Sequence, residues 1–147
     1  MEKLIDDQLV NYTRNRVSDK GVLTYSFAKG DLSPFFRSKV KEIISEIDNR
    51  LDEISFRKIK RSGKTDILIG HGELPDGAAG AAVWNDVRWE IRLPESYFST
   101  TIMRHEMGHV LGLGHVPMGT NSLMQPSWGG IGDFTKKDWN ALESIWE

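Results

Sequence analysis

Three imidazoles and one carboxylate fall within His105-Glu106-Met107-Gly108-His109-Val110-Leu111-Gly112-Leu113-Gly114-His115. On a helix, His105 and His109 are four apart and share a face, so both rings can reach one ion while Glu106 points to the side. Had the helix continued, His115 would lie about 15 Å along the axis from His105, at ~1.5 Å per residue, too far to share a metal. A break is required, and Gly112 supplies it, since glycine takes the left-handed conformation that ends a helix and turns the chain back. Gly114 adds freedom just before His115. A bare H-E-x-x-H is also met as two ordinary helix histidines beside a solvated glutamate, and Gly112 with His115 tells against that reading here. A zinc that only staples the fold is disfavoured as well, because three protein ligands leave one tetrahedral position open for water.

The chemistry this set suits is peptide-bond hydrolysis. Zinc on His105, His109 and His115 would lower the pKa of a bound water and polarise the scissile carbonyl. Glu106, outside the ligand set, would be the general base that takes the water's proton and returns it to the leaving amine. Two rivals come from other classes. One is a catalytically silent zinc-bearing peptide-binding module, which an intact Glu106 disfavours. The other is a nucleic-acid binder using Arg57, Lys58, Lys60, Arg61 and Lys64, a run that lacks interleaved aromatic residues.

These residues need a scaffold. Leu23, Tyr25 and Phe27 alternate with Thr24 and Ser26, which predicts a strand over 22–27. Ser33-Pro34 opens a helix, with Ser33 as N-cap, and Phe36, Val40, Ile43, Ile44, Ile47 and Leu51 form one apolar stripe that should pack on a sheet. Further strands are expected over 54–60, 66–69, 81–84 and 88–93, with a Gly-, Ala- and Pro-rich loop over 70–80. Ser99 with Thr100 and Thr101 starts the helix that carries His105 and His109. A long connection over 116–133 holds Met124, Pro126 and Trp128, and connections of that length in compact domains usually carry function. Thr135 and Asp138 cap a last helix whose buried face is Trp139, Leu142 and Trp146. Residues 1–20 are polar, with a weak helical pattern of Leu4, Ile5, Leu9 and Tyr12, and read as an extension.

The 147 residues suit one domain with a real core, at 39% hydrophobic and 27% charged. A net charge of -2 implies no global pull toward nucleic acid or anionic membrane, so the expected partner is a protein or peptide substrate, with no nucleic acid and no membrane, and the chain is expected to be a monomer. The absence of cysteine excludes disulfides and thiolate zinc ligands. Residues 1–10 lack the apolar run of a secretory leader, which leaves the compartment open: extracellular if a leader was removed.

The chain resembles the metzincin clan of zinc peptidases, through His105 to His115 together with Ser122-Leu123-Met124-Gln125-Pro126, which is similar to that clan's Met-turn. Within the clan it resembles the catalytic domain of matrixins over nearly all of residues 21–147. Val22-Leu23-Thr24-Tyr25, Thr65 to Ile69, Asp76 to Gly80 and Phe134 to Asp138 sit where similar segments occur in that family. The resemblance implies an α+β, zincin-like fold: a twisted five-stranded, mostly parallel sheet with one antiparallel edge strand, and three main helices. It implies that Met124 forms the floor beneath the metal, that substrate lies along the edge strand near Ala81 to Trp84, and that Pro126, Ser127 and Trp128 line the pocket for the side chain after the scissile bond. His71 and Glu73 resemble half of the family's structural zinc site, but Trp84 and Arg92 stand at the other two positions, so no structural zinc is expected. Pro94 replaces a carboxylate ligand near the calcium loop around Asp76, which makes Ca2+ doubtful. An aspartate of the extension, Asp6, Asp7 or Asp19, could cover the open zinc position as a short pro-segment would; a disordered or packed terminus is the other reading.

Overall fold

The computed structural model describes residues 2–5, 8–11, 21–30, 32–60, 65–74, 78–85, 87–94, 99–126 and 131–146. Strands β1 (Glu2–Ile5) and β2 (Gln8–Asn11) form an antiparallel pair with Leu4 opposite Leu9, and β2 lies beside the last helix of the chain. This replaces the weak helical pattern expected there. Eight residues are too few for a helix to be stable alone, and tertiary contact with the C-terminal helix decides the local form. Tyr12, Asp6, Asp7 and Asp19 lie outside the described residues.

The main sheet comprises β3 (Val22–Phe27), β4 (Ser55–Lys58), β5 (Ile67–His71), β6 (Ala81–Trp84) and β7 (Trp89–Leu93). Its spatial order is β4-β3-β5-β7-β6, with every pairing parallel except β6 with β7. This is the five-stranded, mostly parallel sheet with one antiparallel edge strand. The antiparallel strand is possible because Asn85 makes a tight return between β6 and β7, its Oδ1 accepting from the Val87 and Arg88 amides at 3.0 and 2.8 Å.

Three helices complete the described core: α1 (Pro34–Arg50), α2 (Thr100–Val110) and α3 (Lys136–Ile145). Each start is capped as the sequence requires. Ser33 accepts from Phe36 N, Ser99 from Ile102 N, and Thr135 makes a reciprocal box with Asp138. The apolar stripe of α1 (Phe36, Val40, Ile43, Ile44, Ile47) packs on Leu23, Ile67, Ile69 and Ile91 of the sheet, forming one core with Met103 and Met107 of α2. Trp146 is buried at the end of α3, and its indole N–H donates to the Leu111 carbonyl at 2.9 Å, tying the C-terminus to the end of the histidine helix.

Arg104 fastens α2 to its neighbours. Its guanidinium contacts Glu46 of α1 at 2.9 Å and Asp133 at 3.2 Å. Gly80 allows β6 to approach α2, because a Cβ there would lie 2.6 Å from Ile102 Cγ2 and 3.5 Å from Glu106 Cγ. The start of the edge strand is thereby set against Glu106.

Candidate metal centre

The end of α2 is built as a Schellman turn. Leu111 caps the helix, Gly112 adopts φ 114°, its N–H donates to His109 O at 3.1 Å, and Leu113 N donates to Gly108 O at 2.8 Å. The reversal does two things at once. It carries His115 back toward the helix, and it places the Leu113 carbonyl 2.8 Å from His109 Nδ1.

His105 is held from the other side, its Nδ1 lying 2.9 Å from the Leu123 carbonyl. A carbonyl only accepts, so in both rings Nδ1 carries the proton and Nε2 presents a lone pair. The three Nε2 atoms then converge: His105 to His109 3.2 Å, His109 to His115 3.2 Å, and His105 to His115 3.3 Å. Lone pairs facing one another at that distance do not bond; they call for a shared cation. A regular tetrahedron with metal–nitrogen bonds of about 2.0 Å has edges of about 3.3 Å, so the triangle fits zinc. Among the described residues this is the one group of three or more His, Asp and Glu side chains close enough to hold an ion.

The electrostatics suit the same purpose. Burial lowers the pKa of His105, helped by His115 and opposed by the Leu123 hydrogen bond and by Asp138. Burial, then His105, brings His109 down to about 4, and burial lowers His115. All three rings are therefore neutral ligands at neutral pH. Burial pushes Glu106 up to about 7, which brings a proton acceptor close to neutrality beside the triad.

Beneath α2, Met124 is fully buried, and its Sδ would lie 2.6 Å from a Cβ placed on Gly108. The loop after His115 returns through Val116 N to Met124 O at 3.0 Å, and Gln125 braces it by accepting from Gly119 N at 2.7 Å. Asp138, also fully buried, accepts from Ser122 Oγ at 2.5 Å, Leu123 N at 2.8 Å and Thr135 N at 3.0 Å. The sequence marks Asp138 only as a helix-capping residue. Its second role, holding the peptide whose carbonyl orients His105, has no sequence signal, because it depends on where residues 122–124 fold.

Other expected site residues are spread differently. Pro126 is exposed at the end of this loop, whereas Ser127 and Trp128 lie outside the described residues, as does Asp76. His71 turns its Nδ1 to the Leu93 carbonyl at 3.0 Å and stacks on Phe36 at 4.8 Å. Arg92 pairs with Glu90 at 3.2 Å, and Trp84 packs on Trp89. Arg57, Lys58 and Lys60 lie on or just past strand β4 at the far edge of the sheet from β6; Arg61 and Lys64 are outside the described residues.

Comparison with curated proteins gives no match. Among solved structures the chain is similar to one titled "Structure of myroilysin", at 26% identity and a TM-score of 0.49, covering 70% of this chain and 53% of that one. The chain thus spans about half the length of that structure. The matrixin family model matches residues 53–147, a stretch that holds four of the five sheet strands, the histidine triad, Met124 and Asp138, and by that match the chain belongs to the matrixin family.

Proposed function

We propose that the chain is a zinc-dependent endopeptidase, with residues 21–147 as its catalytic domain and residues 1–20 as an extension. The observation that carries this reading is the convergence of three neutral imidazoles, at 3.2 and 3.3 Å, beside a buried carboxylate. His105, His109 and His115 would hold the ion. Bound there, zinc would supply Lewis acidity, polarising the scissile carbonyl and acidifying water.

Glu106 is the general base. It is adjacent to His105, outside the ligand set, and raised to about 7 by burial, so near neutral pH it can accept a proton and return it to the leaving amine. The Leu113 and Leu123 carbonyls keep two rings in the right tautomer, which raises their strength as ligands. Met124 supports α2 from below through Gly108. Substrate adds as a strand to the outer edge of β6, the last strand in the sheet order, where backbone hydrogen bonds are sequence-tolerant and Gly80 brings the strand onto Glu106. Pro126, Ser127 and Trp128 would shape the pocket for the side chain after the cleaved bond.

The test pairs metal content with turnover. Purified protein should hold one zinc per chain and cleave internal bonds of a quenched peptide library, with cleavage abolished by chelator. Glu106→Ala should keep zinc and lose at least about 100-fold in rate. Zinc bound without cleavage would favour the silent peptide-binding module; substantial cleavage by Glu106→Ala would remove Glu106 from the mechanism.

A further inference from the structure

Some cations of this chain are paired and others are not. Lys39, Arg50, Arg92 and Arg104 each meet a carboxylate. Lys29, Arg37, Lys41, Arg57, Lys58, Lys60 and Lys136 make no ion pair among the described residues; of these, Lys29, Lys58 and Lys60 lie at or just past the carboxyl ends of β3 and β4, and Arg37 and Lys41 lie in the first turns of α1. There Lys58 stands in register with Tyr25, on the sheet face that α1 covers, and Arg37 lies over the Phe27 ring at 5.7 Å. A cavity of about 570 Å³ opens beside two of these cations, lined by Leu32, Pro34, Arg37, Ser38 and Lys41. Of the described carboxylates nearby, Glu42 is already paired with Lys39 at 3.3 Å and Glu73 stands exposed past the end of β5, while Asp31, next to Leu32 in the sequence, lies outside the described residues.

This basic cavity shares the catalytic end of the sheet. A continuous set of contacts joins them: Phe36 stacks on His71, His71 reaches the Leu93 carbonyl, and Leu93 and Glu106 both flank Gly80. A strand added outside β6 lies four strand spacings from β3, roughly 19 Å, and an extended chain covers about 3.3 Å per residue, so a polypeptide held there needs at least about six more residues to reach Arg37 and Lys41. With a net charge of -2, the chain as a whole does not attract anions, so any such pull is local.

We propose that this cavity is an exosite for an acidic segment of the protein substrate, engaged at least about six residues from the bond that is cleaved. Arg37 and Lys41 would bind its carboxylates, Ser38 would donate to them, and Lys29, Lys58 and Lys60 would raise the local potential that captures it. The proposal rests on the peptidase reading above and narrows its substrates to proteins in which acidic stretches neighbour the cut site. The neutral ends of such a segment lie on Leu32 and Pro34.

Quenched peptides of identical cleavable sequence decide it, each carrying at one end or the other, at least about six residues from the cleaved bond, either four glutamates or four glutamines. Cleavage of the glutamine peptide establishes the peptidase independently. At low salt one acidic peptide should have a kcat/KM about tenfold higher, mostly through KM, and the advantage should vanish near 0.5 M salt, where the Debye length is only a few Å. Arg37→Glu with Lys41→Glu should erase the advantage and leave the glutamine peptide unchanged, and fluorescence anisotropy of the labelled acidic peptide should show the same loss of binding. Equal rates for all peptides, or an advantage that survives the double charge reversal, would overturn the proposal. So would anisotropy showing that the site takes a DNA oligonucleotide or a sulfated polysaccharide and not the acidic peptide.

Discussion

Removing the Asp138 carboxylate should weaken the fold and loosen the metal together, because one side chain holds both. Asp138 is fully buried and accepts from Ser122 Oγ, Leu123 N and Thr135 N at 2.5, 2.8 and 3.0 Å. In Asp138→Ala those donors lose their acceptor. Each buried orphan costs about 1–3 kcal/mol, and the partly exposed Thr135 amide recovers some of this from water, so the sum is about 4–6 kcal/mol. That is comparable to the whole stability of some small domains, so Asp138→Asn is the more informative variant. Its carboxamide can turn its oxygen to the two backbone amides and its NH2 toward Ser122, which leaves chiefly the loss of charge assistance, about 1–3 kcal/mol. Metal affinity should fall in step, since Leu123 gives its N–H to Asp138 and its carbonyl to His105, and disturbing such a partner typically costs about 10–100-fold in affinity. Urea unfolding of chelated protein and competitive zinc titration measure the two quantities separately. Wild-type zinc affinity in Asp138→Asn, with Asp138→Ala within about 1 kcal/mol of wild type, would refute the linkage.

Three further outcomes follow from the geometry. Gly108→Ala sets a Cβ at 2.6 Å from Met124 Sδ and 3.0 Å from its Cε, so thermal melts should show a loss of about 1–3 kcal/mol, reduced when Met124 is shortened to Ala in the same chain. In chelated protein Glu106, raised to about 7 from 4.5, binds its extra proton in the native state, so its contribution is present at low pH and lost as pH rises through that window. His109, lowered to about 4 from 6.5, acts oppositely, with stability lost as pH falls. Glu106→Gln should therefore steepen the rise of stability with pH between about 4.5 and 7 by up to ~1.4 kcal/mol per unit, and an unchanged slope would contradict the buried carboxyl. Arg104→Met removes the contacts to Glu46 and Asp133, and urea midpoints should drop by an amount equivalent to about 1–2 kcal/mol with zinc retained.

The elements were legible because their signals are local. Alternation in Leu23, Tyr25 and Phe27, the Ser33-Pro34 start, the stripe from Phe36 to Ile47 and the box of Thr135 with Asp138 each need only a few neighbouring residues to be read. The same holds for the three histidines: helical spacing puts His105 and His109 on one face, and Gly112 provides the turn that returns His115. Parallel pairing is non-local and came from resemblance, not from periodicity, and the order of the five strands came only with the tertiary structure. The start of the chain misled because eight residues of mixed propensity take their form from what they pack against, here a strand pair beside α3.

By itself, then, the sequence determined which three histidines can be brought together, the break that lets them converge, and the glutamate beside them that is proposed for proton transfer, since all depend on spacing along a helix and one glycine. Only the tertiary structure decided what makes that set work. The Leu113 and Leu123 carbonyls choose the tautomers, burial keeps the rings neutral and raises Glu106, Asp138 anchors the peptide behind His105, and Gly80 brings the edge strand to the site. The reason is physical: a backbone carbonyl has no residue type, and desolvation is a property of surroundings assembled from distant parts of the chain.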